Sequence, residues 1–89
     1  MKKSTPVRRA LTSAQIQAAR ALLRWSAEDL ARSSSVGLTT IRRAELTEAA
    51  TSLTAPNDFA IRRTLEKTGI EFIEKNGGGE GVGLKKPSA

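Results

Sequence analysis

The sequence predicts a mainly α-helical protein with four or five helices, followed by a short C-terminal β-hairpin or strand. Three observations support this fold class. Apolar residues recur at helical spacing between residues 11 and 69, hydroxylated residues stand where helices should begin, and the pattern changes to strand-like at residue 70. With 89 residues, the chain can form one small domain with tails.

The first helix is predicted to begin after Thr12. Thr12 and Gln15 have the spacing of a capping box, in which each side chain bonds to the backbone of the other residue. The inward face of this helix consists of apolar residues at helical spacing: Ile16, Ala19 and Leu23, with Leu22 alongside.

A second helix is predicted to begin at Ala27. Ser26 can cap its first amides with a hydroxyl, and Asp29 can reach back to the cap or lie against the positive helix end. The helix should end within the three serines at 33–35, because serine side chains compete for backbone hydrogen bonds.

A third helix should begin after Gly37, only a few residues beyond the second. Its apolar positions are Leu38, Ile41 and Ala44, which leaves four polar residues on exposed or flanking faces: Thr39, Thr40, Arg42 and Arg43. Hydroxyls and guanidiniums are groups that bind phosphates and base edges. Two short helices joined by so tight a turn therefore predict a DNA-binding helix-turn-helix.

The segment LARSSSVGLTTIRRAE, residues 30–45, resembles the helix-turn-helix of the phage-repressor family, the Cro-like and xenobiotic-response-element regulators. The resemblance extends over roughly residues 11–69 and implies a repressor-like domain whose third helix lies in the major groove. It places Leu38, Thr39 and Arg43 toward the bases. Thr40 and Arg42 would lie nearer the DNA backbone. Ser26 and Ala27 would lie against a phosphate.

The same resemblance implies a structural ion pair between Arg20 in the first helix and Glu45 at the end of the third. The chain also departs from the family at two positions. Ser35 stands where the family usually has Gly, and Gly37 stands where a Ser or Thr usually caps the recognition helix. Glycine is itself an acceptable cap.

A fourth helix is predicted to begin at Thr54, with Gly69 placed to end it. Pro56 is tolerated in the first turn, and the expected apolar contacts come from Phe59, Ile61 and Leu65.

Residues 70–74 then read as a strand, the glycine-rich residues 76–81 as a turn, and residues 82–84 as a weaker second strand. A two-stranded hairpin alone is marginal in water. We therefore expect a homodimer whose interface includes Ile70, Phe72 and Ile73.

The net charge of +6 comes from the two ends of the chain. Without the six basic residues near the termini, nine basic and nine acidic residues remain. Residues 1–10 are interpreted as a disordered basic arm, 11–69 as the DNA-binding domain, 70–84 as the dimerisation element and 85–89 as a flexible tail. Arg8 and Arg9 of the arm are further candidates for DNA contact, by entering the minor groove, although terminal basic residues can also serve solubility alone.

The leading functional hypothesis is a sequence-specific transcriptional regulator, a repressor that binds a palindromic operator on double-stranded DNA as a homodimer. The alternative is an antitoxin that also represses its own operon, with the glycine-rich C-terminal region as the candidate toxin-binding segment. An enzyme is disfavoured because the chain has no His, Cys or Tyr, and neither a metal nor a cofactor is expected. With no membrane-length apolar run and no secretory signal, the expected location is the cytoplasm.

Overall fold

The computed structural model describes residues 10–47, 53–73 and 81–85. In these residues the chain forms four helices and one antiparallel hairpin: α1 Ser13–Leu23, α2 Ala27–Ser34, α3 Leu38–Leu46, α4 Ala55–Lys67, β1 Ile70–Ile73 and β2 Gly81–Leu84. The predicted fold class is confirmed. The expected basic arm, apart from Ala10, the turn of the hairpin and nearly all of the C-terminal tail lie outside the described residues.

Helices α1 and α2 both begin with the predicted capping box. The Thr12 hydroxyl accepts a hydrogen bond from the Gln15 amide at 3.1 Å, and the Gln15 side chain accepts one from the Thr12 amide at 3.1 Å. Ser26 and Asp29 repeat this exchange at 3.0 and 2.9 Å. Each box satisfies two amides that a helix start would otherwise leave without partners.

The ends of α1 and α2 share an uncommon backbone conformation. Arg24 and Ser35 follow these helices with φ angles of 58° and 63°, in the left-handed region that glycine occupies at lowest cost. Gly69 takes the same role after α4, with φ of 103°. The predicted ends of α2 and α4 are therefore correct, and two of these three left-handed positions carry side chains.

The core lies between the helices and is closed by the hairpin. Helix α2 packs against both α3 and α4, while α1 contacts α3 and β2. Of the residues that the structure describes, ten apolar ones are buried: Leu11, Ile16, Ala19, Leu30, Val36, Ile41, Ala44, Ile61, Leu65 and Ile70.

Phe59 does not join this core, contrary to the sequence-based prediction. Its side chain is 61% exposed, whereas Ile61 and Leu65 are fully buried. Phe59 precedes Ile61 by two residues, or about 200° around a helix, so the two side chains leave α4 on nearly opposite sides.

The hairpin packs on the helices of its own chain. Ile70 pairs with Leu84 and Phe72 with Val82, while β1 contacts α4 and β2 contacts α1. Ile70 is completely buried in the core, so this residue of the expected dimer interface is not available to a second subunit. For Ile70 the reason is simple: α1 and α4 pack against the hairpin and provide the cover that the sequence interpretation assigned to a partner.

Arg62 is the buried cation of α4, with 4% of its surface exposed. Its guanidinium lies 5.2 Å from the centre of the Phe72 ring, and its Nε is 3.9 Å from a carboxylate oxygen of Asp58. Asp58 also accepts a hydrogen bond from the Leu11 amide at 2.8 Å. This cluster joins the start of α1, the middle of α4 and the hairpin.

Among the residues that the structure describes, no helix combines the length and the apolar character needed to cross a membrane.

Candidate nucleic-acid interface

The turn between α2 and α3 is held by one buried residue and one buried hydroxyl. Val36 is buried between the helices. The Ser34 hydroxyl donates to the Leu30 carbonyl at 2.7 Å and accepts from the Val36 amide at 3.2 Å. With Ile41 and Ala44 of α3 also buried, α3 is docked along one face. Its opposite face is presented to solvent.

We define the α3 surface as the exposed residues of this helix: Thr39, Arg42, Arg43 and Leu46. The half-buried Leu38 and Thr40 flank it. All five α3 residues predicted to contact DNA thus lie on or beside one surface. Leu46 was not predicted, although its side chain is 83% exposed. Its spacing of seven residues from Thr39 is the signal that could have identified it, because seven residues are about two helical turns.

The two arginines of the α3 surface have different surroundings. Arg43 is exposed and forms no ion pair with any residue of the described ranges. It lines a cleft of about 210 Å³ between α3 and the start of α4, together with Thr40 and Asn57. Arg42 instead forms an ion pair with Glu28 of α2, with 3.0 Å between Nη2 and Oε2. Relative to the described part of the chain, Arg43 therefore offers a guanidinium without an opposing carboxylate, whereas Arg42 does not.

The start of α2 is less open to a phosphate than the resemblance implies. The Ser26 amide already donates to Asp29, and the Ser26 hydroxyl already accepts from the Asp29 amide. The hydrogen bond from the Ser26 amide to its carboxylate lowers the pKa of Asp29, and the Ser26 side chain and the charge of Arg32, 2.6 Å away, act in the same direction. Ala27 is half-buried against the core. Two carboxylates in the first turn, Glu28 and Asp29, would compete with a phosphate here.

The ion pair expected between Arg20 and Glu45 is present and bidentate. Arg20 Nε and Nη2 donate to the two Glu45 carboxylate oxygens at 2.7 and 2.8 Å, and Nη1 donates to the Trp25 carbonyl at 2.8 Å. The hydrogen bond to Glu45 raises the pKa of Arg20, and the charges of Glu45 and Glu28 act in the same direction against burial. One guanidinium thereby joins α1, the start of α2 and the end of α3.

Arg8 and Arg9, the candidates in the basic arm, lie outside the described residues. Within the described ranges, no group of three or more His, Cys, Asp or Glu residues could hold a metal ion.

In comparisons with known proteins, no protein-family model matches the chain, and no curated protein sequence matches it significantly. The α3 surface is therefore the feature of this chain that bears most directly on its function.

Proposed function

We propose that the protein is a sequence-specific DNA-binding regulator of transcription, a repressor that acts in the cytoplasm as a homodimer on a palindromic operator. The observation that supports this proposal most is the α3 surface. A short helix is docked by a buried turn and by Ile41 and Ala44, and its outer face displays hydroxyl, guanidinium and apolar groups. These are the groups that read base edges and bind phosphates in the major groove.

In the proposed complex, the exposed residues of α3 have different tasks. Arg43 is long enough to donate two hydrogen bonds to O6 and N7 of a guanine. No carboxylate among the described residues forms an ion pair with it. Thr39 can offer its methyl group to thymine or its hydroxyl to a base edge. Thr40 and Arg42 lie nearer the DNA backbone, and Leu38 flanks the base-reading residues.

A two-fold symmetric dimer would place two α3 helices in successive major grooves. Half-sites would then be separated by about one helical turn of DNA, and the operator would be a palindrome. Selection of duplexes from a random pool by the purified full chain tests this directly. We expect a two-fold symmetric motif, and a pool without any enriched sequence would contradict the proposal.

The distinction between base reading and simple charge attraction can be tested on the selected operator. Arg43→Ala and Thr39→Ala should each weaken operator binding by about 1–3 kcal/mol and binding to a scrambled duplex by much less. Arg63→Ala is the matched control, because it removes an exposed arginine from α4 rather than α3. Equal losses on both duplexes for Arg43→Ala would show that α3 does not read the bases.

A further inference from the structure

Glu28 makes an ion pair between the first turn of α2 and the α3 surface. Its Oε2 lies 3.0 Å from Nη2 of Arg42, which is 14 residues away in the sequence. Both side chains remain more than half exposed, at 53% for Glu28 and 58% for Arg42. The pair is therefore accessible to DNA that approaches α3.

The carboxylate of Glu28 also acts on a second cation. Its negative charge adds to that of Glu45 in raising the pKa of Arg20. Arg20 is fixed in place by its bidentate bonds to Glu45 and its bond to the Trp25 carbonyl. Four charges of alternating sign thus run from the buried pair to the surface, in the order Glu45, Arg20, Glu28 and Arg42. The charge of the fixed Arg20 attracts the Glu28 carboxylate as well.

This arrangement affects the two modes of DNA binding differently. Non-specific binding depends almost entirely on contacts between cations and phosphates, which a mobile arginine can make in many registers. An arginine held by a carboxylate can reach a phosphate only where the helix is correctly seated, or after its ion pair has been broken. Base contacts by Thr39 and Arg43 are made only in the correct register, and they do not involve Glu28.

We propose that Glu28 is a specificity-determining residue of the DNA interface: by holding Arg42 on the α2 side of α3, it weakens binding to DNA that α3 does not recognise. This inference rests on the proposed function, since it requires an operator to which α3 binds specifically. Glu28 is a positioning residue in this role, because it acts through Arg42.

The test compares the full chain with its Glu28→Gln variant on the selected operator and on a scrambled duplex, at several salt concentrations. Glutamine keeps the length of the side chain but removes the charge that holds Arg42. We expect affinity for the scrambled duplex to rise by up to about five-fold, the upper range for breaking an exposed ion pair. The salt dependence on that duplex should steepen by about one unit, as for one added phosphate contact. Operator affinity should rise less, so the ratio of the two affinities falls.

Two controls separate this role from a general effect of charge. Glu71→Gln removes one negative charge from an exposed position of β1, far along the chain from α3, and should leave the affinity ratio unchanged. In an Arg42→Ala background, Glu28→Gln should no longer lower the ratio, because there is no arginine to release. Melting curves establish that each variant is folded before its binding is measured.

An unchanged ratio in Glu28→Gln overturns the inference, and so does an equal fall in Glu71→Gln or a fall that persists without Arg42. In each of these cases the selected operator still stands, and the proposed function with it. A random pool that yields no motif has a different meaning, since it overturns the proposed function and the role of Glu28 together.

Discussion

At the scale of single residues, one side chain stands in the left-handed backbone region at the turn before α3. Ser35 ends α2 with φ of 63°, and its amide donates to the Ala31 carbonyl at 2.9 Å. An L-residue with a Cβ is disfavoured in this region by roughly 1–2 kcal/mol. The position closes the turn that leads into α3, so the strain lies directly beside the candidate interface.

Ser35→Gly should therefore stabilise the fold. Relief of the backbone strain is partly offset by the greater backbone entropy of glycine in the unfolded chain, about 0.5–1 kcal/mol. The net gain in the free energy of unfolding should be about 0.5–1 kcal/mol, measured by urea denaturation. Ser33→Gly is the matched control, because Ser33 lies inside α2, where glycine lowers helix stability. A loss of stability in Ser35→Gly would mean that the hydroxyl contributes more than the strain costs.

At the scale of secondary-structure elements, the central question is what holds α3 in place. Its inner face is docked through Ile41 and Ala44, which apolar burial accounts for. Its C-terminal end is joined to α1 by the ion pair of Arg20 and Glu45, whose side chains are 22% and 11% exposed. Such a pair sets geometry more than it adds net stability, but removing one partner leaves a largely buried charge alone.

Arg20→Ala should lower the free energy of unfolding by about 3 kcal/mol. The reason is that the Glu45 carboxylate loses both of its guanidinium hydrogen bonds, and the Trp25 carbonyl loses a donor. Arg32→Ala is the matched control, since its ion pair with Asp29 is exposed to solvent and its loss should lower stability much less. Urea denaturation curves of the two variants measure the two losses in the free energy of unfolding. If both substitutions lowered the free energy of unfolding by the same small amount, water would be able to solvate Glu45 in place of Arg20.

At the scale of the whole molecule, the hairpin completes the core of one chain and still leaves apolar side chains in solvent. Ile70 is buried, with Phe72 and Val82 packed against the core. Ile73 and Leu84 remain about half exposed, and Phe59 on α4 is more exposed than either. Within the described ranges, the hairpin and α4 therefore each present apolar side chains that a second copy could cover.

We expect the homodimer contact to include Ile73, so Ile73→Glu should sediment as a monomer. A carboxylate at that position would be buried without a partner in the dimer, which is costly. Phe59→Glu is the matched control on α4 and should remain dimeric. A dimeric Ile73→Glu variant together with a monomeric Phe59→Glu variant would place the interface on α4. If the unsubstituted chain were itself a monomer, the expected homodimer would be wrong. Deleting the hairpin is not a suitable test, because it would remove Ile70 from the core of each subunit.

The sequence alone determined features that depend on residues a few positions apart. The capping boxes of α1 and α2, the hydroxyl cap of α4, the end of α2 in its serine run and the outward face of α3 are all of this kind. They could be predicted because a helix start or a helix face is decided within one or two turns of chain. The exposure of Leu46 was readable from the same periodicity.

Only the tertiary structure decided which surfaces the elements cover and which charges they bring together. Ile70 is buried because α1 and α4 pack against the hairpin, and Arg62 is buried with Phe72 of the hairpin beside it. The pair of Glu28 and Arg42 joins two helices, and nothing in the local pattern of either residue indicates the other. These outcomes depend on how separate elements pack, which residue spacing within one element does not specify.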